Sequence, residues 1–166
     1  ELDPGLVEDI ANSYSSADSL EEKQIRLSQE QKDALMLAAT KSLLLITGGP
    51  GCGKTTLVRS ICKLFRSCGL EIKLAAPTGR AAQRLSEVTG IEASTIHRLL
   101  KFDPFTKSFR HNRDDKIETD VIILDEASMI DLPLAQSLFA AVEAKTRIIL
   151  VGDADQLPSV GPGRVL

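Results

Sequence analysis

The stretch TGGPGCGKTT, Thr47 to Thr56, limits the possible folds more than any other part of the chain. Gly48, Gly53, Lys54 and Thr55 satisfy G-x-x-x-x-G-K-[ST], directly after the apolar run SLLLIT (42–47). The pattern calls for a strand, a tight loop and a helix in succession. Its glycines let the backbone curl so that N–H groups converge on phosphate oxygens. The helix start adds partial positive charge at the same point. Lys54 reaches the outer phosphates, and the Thr55 hydroxyl is suited to ligate Mg²⁺. Gly49, Pro50, Gly51, Cys52, Gly53, Lys54, Thr55 and Thr56 form the expected phosphate-binding set. Cys52 needs only to be small there, although a place at a helix N-terminus lowers a thiol's pKa.

The rest of the chain alternates in the way such a junction demands. SLLLIT is apolar throughout, which predicts a strand buried on both faces. LSQEQKDALMLAA opens on Ser28 as a helix cap, with Gln31 at the third position of a capping box. A helix runs from Lys54 to about Phe65 and closes near Gly69. IKLAAP (72–77) is a second strand, followed by a helix over about 80–88. STIHRLL (94–100) reads as a short helix and KFDPFTKSFRHN (101–112) as a small hairpin. DVIILDE (120–126) is the third strand and RIILVGD (147–153) the fourth. Between them lies a helix over 131–143, with Asp131 as cap and Leu134, Leu138 and Val142 on one face. Strands alternating with helices predict a parallel sheet with right-handed crossovers. Ligands then gather at the carboxyl ends of the strands.

Chemistry-bearing residues cluster just after those ends. Asp125 and Glu126 close the third strand, so they face the same sheet edge as the phosphate loop. Asp125 suits Mg²⁺ and Glu126 suits a base that polarises the attacking water. A glutamate in that place marks hydrolysing NTPases. After the fourth strand, Asp153 and Gln156 stand where a side chain senses a terminal phosphate, or else belong to a glycine/proline loop. Thr78, Gly79 and Arg80 follow the second strand and read either as a helix cap with a solvated arginine or as contacts to a phosphodiester backbone. Gln31 either completes its capping box or pairs with an adenine edge; one side chain cannot serve both fully.

Charge and cysteine content narrow the class. The chain carries a net −3, of which residues 1–26 hold −5, leaving +2 on residues 27–166. Pro77 to Arg113 carries seven Lys/Arg against three acids, a mild basic bias that suits a solvated face or a nucleic-acid track. Cys52, Cys62 and Cys68 form no CxxC, so neither a disulfide framework nor a zinc site is indicated and a cytoplasmic setting is expected. No apolar run approaches membrane-spanning length. With aromatic content at 4% and no Trp, no stacking platform for bases is expected.

Taken in order, LSQEQ (27–31), TGGPGCGKTT (47–56), LAAPTGRAAQRL (74–85), ASTIHRLL (93–100), VIILDEASMID (121–131) and LVGDADQLPSVGPG (150–163) resemble the first motor domain of superfamily 1 DNA helicases, closest to the RecD/TraA, 5′→3′ branch. The resemblance covers residues 27–166 and implies an α/β P-loop NTPase with a RecA-like parallel sheet flanked by helices. It implies ATP and Mg²⁺ as cofactors, with Lys54, Glu126 and Gln156 catalytic and Gln31 reading adenine. It places Pro77, Thr78, Gly79, Arg80, Thr95, His97, Pro158, Val160 and Gly161 along single-stranded DNA. It also implies a second RecA-like domain supplying an arginine finger, DNA duplex ends and repair-complex subunits as partners, and no membrane. Residues 101–119 sit where relatives carry a small insertion. Residues 1–26 read as a helical piece and linker from a preceding domain, and the whole as a segment of a longer polypeptide.

Three other readings stay open on sequence. One is an ATP-dependent nucleic-acid switch without unwinding. Another is the helicase part of a conjugative relaxase. The third is a kinase or GTPase, against which stand the Asp125–Glu126 pair and the missing N-K-x-D guanine signature.

Overall fold

A strand covered on both faces must be apolar at every position, and Val121, Ile122, Ile123 and Leu124 are all fully buried. In the computed structural model, which describes Gly5, residues 27–49 and residues 51–153, they form the centre of the sheet. The elements in chain order are α1 (Gln29–Thr40), β1 (Leu43–Thr47), α2 (Lys54–Ser67), β2 (Ile72–Ala76), α3 (Gly79–Thr89), β3 (Ala93–Thr95), α4 (Ile96–Leu99), β4 (Phe102–Asp103), β5 (Ser108–Phe109), β6 (Val121–Leu124), a 3₁₀ turn (Ala127–Met129), α5 (Leu132–Ala141) and β7 (Arg147–Gly152). Five strands make one parallel sheet in the order β1-β7-β6-β2-β3. This is the expected α/β fold. The leader 1–26 lies outside the described residues.

Alternation along the strands divides the core in two. Val121, Ile123, Ile149 and Val151 point to one face and meet Leu35, Ile61, Leu64 and Phe65 of α1 and α2. Ile122, Leu124, Ile148 and Leu150 point to the other and meet Ile96, Leu100, Ala135 and Leu138. Helices on both faces are what parallel crossovers require. Leu138 of α5 is buried with Leu134 packed beside it, whereas Val142, expected within the helix, is its extended C-cap and is buried where it bridges to Ile117. Asp131 caps that helix, its Oδ1 accepting from the Leu134 N–H at 2.8 Å.

Two expectations are corrected. SLLLIT is not covered on both faces: β1 is an edge strand, and Leu43 and Leu45 are 56% and 49% exposed. Only the face carrying Ile46 is sealed by α1 and α2. The segment read as a helix from Ser94 instead begins as strand β3, paired in parallel with Leu74–Ala76. The Ser86 hydroxyl of α3 accepts the Ala93 N–H at 2.8 Å and holds the start of this strand in place. The hairpin forms as expected, Phe102 opposite Phe109.

At the amino-terminal end of the sheet, Arg147 donates from Nε to the Lys41 carbonyl at 3.0 Å and lies 5.4 Å from the Phe65 ring centroid. It ties the end of α1 to β7 and α2. Among the described residues no helix is long and apolar enough to cross a membrane.

Candidate functional site

The sheet order brings the informative residues together. The chain leaves β1 through the phosphate loop and enters α2, while β7 lies between β1 and β6. Residues following β1, β7 and β6 therefore stand side by side at one edge.

Gly53 takes φ +75° as the cap of α2, and its left-handed backbone turns the chain from loop into helix. Lys54 Nζ donates to the carbonyls of Gly48 and Gly49, the latter at 2.8 Å. It also lies 3.8 Å from Asp153 Oδ2, just past β7, whose side chain is 3% exposed. The loop lysine is thus held over the loop and beside the neighbouring strand end. Pro50 lies outside the described residues.

Gln31 takes up the first of its two readings. Ser28 Oγ accepts the Gln31 N–H, and Gln31 Oε1 accepts the Ser28 N–H at 2.9 Å, so the capping box is complete. The other end of the amide, Nε2, donates to the Gly53 carbonyl at 3.4 Å. The side chain therefore fastens the start of α1 to the phosphate loop.

Asp125 is fixed from two directions. Its N–H donates to the Ala75 carbonyl at 3.0 Å, which extends the β2–β6 ladder by one residue. Its Oδ1 accepts the Glu126 N–H at 2.9 Å. Glu126 then turns at φ +52°, a left-handed conformation that non-glycine residues seldom adopt and that concentrates at functional sites.

Burial pushes the Asp125 carboxyl above its usual range. The Glu126 N–H and the charges of Arg84 and Lys54, in that order, pull it back only partly. A carboxyl raised in this way contributes most to stability below the ordinary carboxylate range, and that contribution is lost as pH rises through its folded-state value. The charged, desolvated form on the neutral side of that value is the less stable one. Asp125→Asn keeps the Oδ1 acceptor and removes the charge. It is expected to raise the thermal midpoint at pH 7, by about 2–4 °C per kcal/mol of relieved desolvation for a domain of this size, while removing ATP hydrolysis. The gain shrinks as pH falls toward the ordinary Asp range, about 4. A lowered midpoint at pH 7 contradicts this reading.

A cleft of about 390 Å³ joins these parts. Gly49, Gly51, Cys52, Gly53, Lys54 and Thr55 form one side, Asp125 and Glu126 the floor, and Ala81, Arg84, Leu85 and Val88 of α3 another wall. Thr56 follows within the first turn of α2. A larger groove, about 630 Å³, opens beside β2 and β3 among Lys73, Glu92, Arg98 and His111. It contains no phosphate loop, and the rule that ligands bind at strand carboxyl ends favours the smaller cleft.

Residues expected along DNA lie on the neighbouring segments. Pro77 leads into α3, and Thr78 Oγ1 caps that helix by accepting the Ala81 N–H at 3.2 Å. Gly79 and exposed Arg80 open it. Thr95 likewise caps α4 by accepting the Arg98 N–H at 3.2 Å. Exposed His97 packs against Phe102 and Phe109, each ring centroid 5.7 Å away, and the two phenyl rings are 5.4 Å apart. Phe105, at the hairpin tip, is 96% exposed. Several of the few aromatic residues are thus gathered at one place rather than spread over the chain. The signal was three phenylalanines within 102–109, which a chain-wide percentage averages away. Arg84 was also missed as part of the cleft. Gln156, Pro158, Val160 and Gly161 lie outside the described residues.

Comparison with known proteins gives the same architecture. A family model described as "AAA domain" matches residues 31–162. The chain is 50% identical over 137 residues to the ATP-dependent RecD2 DNA helicase of Deinococcus radiodurans, covering 82% of this chain and 19% of that protein. It is 43% identical over 162 residues to the RecBCD enzyme subunit RecD of Mycolicibacterium smegmatis, covering 83% and 29%. It is 38% identical over 148 residues to the ATP-dependent DNA helicase dda of Enterobacteria phage T4, covering 82% and 34%. The chain thus spans about a fifth to a third of the length of these relatives. The crystal structure of a Pif1 helicase from Bacteroides, in complex with ADP-AlF3 and ssDNA, shares the fold at a TM-score of 0.56 and 22% identity, covering 81% of this chain and 34% of that one. The family match begins at Gln31 and runs past the end of β7, taking in the whole sheet and both site loops, and on that ground the chain belongs to the AAA domain family.

Proposed function

We propose that this chain is the first ATPase motor domain of a RecD-like DNA helicase, which couples ATP hydrolysis to 5′→3′ movement along single-stranded DNA and to duplex unwinding in repair or recombination. The observation that carries the reading is the meeting of Lys54 and Thr55 with Asp125 and Glu126 in one cleft at the strand ends. Similarity over most of the chain to RecD, RecD2 and dda proteins supports it.

Each residue then has a physical task. The loop N–H groups and the α2 terminus hold the phosphates, and Lys54 exchanges its loop carbonyls for the outer phosphate oxygens. Gln31 stands at the loop's rim, where its amide recognises adenine. Thr55 Oγ1 and the Asp125 carboxylate fit Mg²⁺. They offer a hydroxyl and a carboxylate in one cleft, and the Asp125 charge is incompletely compensated by the protein. Among the described residues no three His, Cys, Asp or Glu gather as a metal cage, and Mg²⁺ held partly by phosphates needs none. When bound, the ion neutralises charge on the phosphates. Glu126 accepts a proton from the attacking water, and Gln156 relays the state of the terminal phosphate toward DNA.

The DNA path runs over Thr78, Gly79, Arg80, Thr95 and His97, continuing to Pro158, Val160 and Gly161. A second RecA-like domain completes the groove and supplies an arginine to the nucleotide. Repair-complex subunits and a cytoplasmic setting follow from the same reading. In the full-length protein, single-stranded DNA should stimulate ATP hydrolysis, and Lys54→Ala should abolish that stimulation. Hydrolysis that ignores single-stranded DNA, or a strong preference for GTP over ATP, contradicts the proposal.

A further inference from the structure

Arg84 stands one helical turn beyond Arg80 on α3, about 6 Å farther along the axis. Its neighbours on that face are apolar: Ala81, Leu85 and Val88 line the cleft beside it. None of them can hold a guanidinium. Among the described residues Arg84 makes no hydrogen bond or ion pair, whereas Lys73 pairs with Glu71 and Lys145 with Glu143. It nonetheless lines the same cleft as Asp125, Glu126 and Lys54. The cleft thus presents cations on two walls, Lys54 from the phosphate loop and Arg84 from α3, above two carboxylates.

We propose that Arg84 is a second phosphate-binding residue of the nucleotide site, its guanidinium taking the terminal phosphate of a nucleoside triphosphate from the α3 wall. This rests on the nucleotide-site reading given above. The chemistry favours it in two ways. A terminal phosphate placed near Asp125 and Glu126 meets like charge on the cleft floor, which one lysine offsets only in part. A planar guanidinium pairs with two phosphate oxygens at once, whereas an ammonium acts as a point charge. A diphosphate has no group at that place, so Arg84 distinguishes the nucleotide before hydrolysis from the product after it.

The test is equilibrium binding to the full-length protein of ADP and of a non-hydrolysable ATP analogue, both with Mg²⁺. The proteins compared are the wild type, Arg84→Ala, Arg84→Lys and Lys54→Ala. Arg84→Ala should weaken the triphosphate analogue about tenfold and change ADP binding less than about threefold. Arg84→Lys should recover part of the triphosphate affinity. Arg84 is exposed, so both variants should unfold at the wild-type temperature. Equal losses for the two nucleotides, or no loss for either, overturn the proposal. If Lys54→Ala also leaves both nucleotides bound as in the wild type, the nucleotide-site reading itself fails. If Lys54→Ala weakens both while Arg84→Ala weakens neither, only the assignment of Arg84 fails.

Discussion

Glu126→Gln in the full-length protein is expected to lower DNA-stimulated ATP hydrolysis about a thousandfold, within the range of about 10²–10⁴ that a positioned general base supplies. ATP affinity should stay within about threefold of the wild type, because phosphate binding belongs to the loop and Lys54. The amide matches the carboxylate in size, so the φ +52° turn and the Glu126 N–H donated to Asp125 both persist. What is lost is the ability to accept a proton from water. Single-turnover hydrolysis measured beside equilibrium binding separates these effects. A rate within tenfold of the wild type removes Glu126 from the chemistry. A loss of binding as large as the loss of rate makes it a structural residue instead.

Gly53→Ala is expected to damage both the fold and nucleotide binding. Two costs coincide there. The φ of +75° places an L-residue in the left-handed region, at roughly 1–2 kcal/mol. A Cβ would also stand 2.6 Å from Gln31 Nε2, so the glutamine must move. That breaks the link to the Gly53 carbonyl and disturbs a capping box, where loss of a cap costs about 0.5–2 kcal/mol. Gly69→Ala is the control, since Gly69 has a similar φ of +72° and nothing within 4 Å of its added Cβ. It carries the backbone cost alone. Gly53→Ala should therefore lower the thermal midpoint more than Gly69→Ala, and only Gly53→Ala should weaken ATP binding, by tenfold or more. Wild-type ATP affinity in Gly53→Ala contradicts the loop geometry.

How much of this could be read in the sequence depended on how local the determining physics is. The phosphate loop, the Asp131 cap and the all-apolar β6 follow from neighbours in sequence, and each was legible. The Ser28–Gln31 box was legible too, but its reach to Gly53 was not, because that contact joins residues 22 positions apart. β3 has three residues and no periodicity, and its existence depends on Leu74–Ala76 and Ser86. β1 resembled a central strand because Leu43 and Leu45 are as apolar as Ile46, while an edge position is a property of strand order. Arg84 looked like one surface charge among seven, and only the packing of α3 beside Asp125 gives it a place in the cleft. Thr78 was read as cap or DNA contact, and Thr95 as a DNA contact by resemblance; both cap helices. The cap is what the fold itself uses, and the DNA role remains a matter of function.

Strand displacement by the full-length protein from duplexes carrying a 5′ or a 3′ single-stranded tail, with and without Lys54→Ala, tests the central claim most directly. ATP-dependent displacement from the 5′-tailed duplex, absent in Lys54→Ala, is the predicted result. Displacement that survives Lys54→Ala, or that strictly requires a 3′ tail, would contradict it.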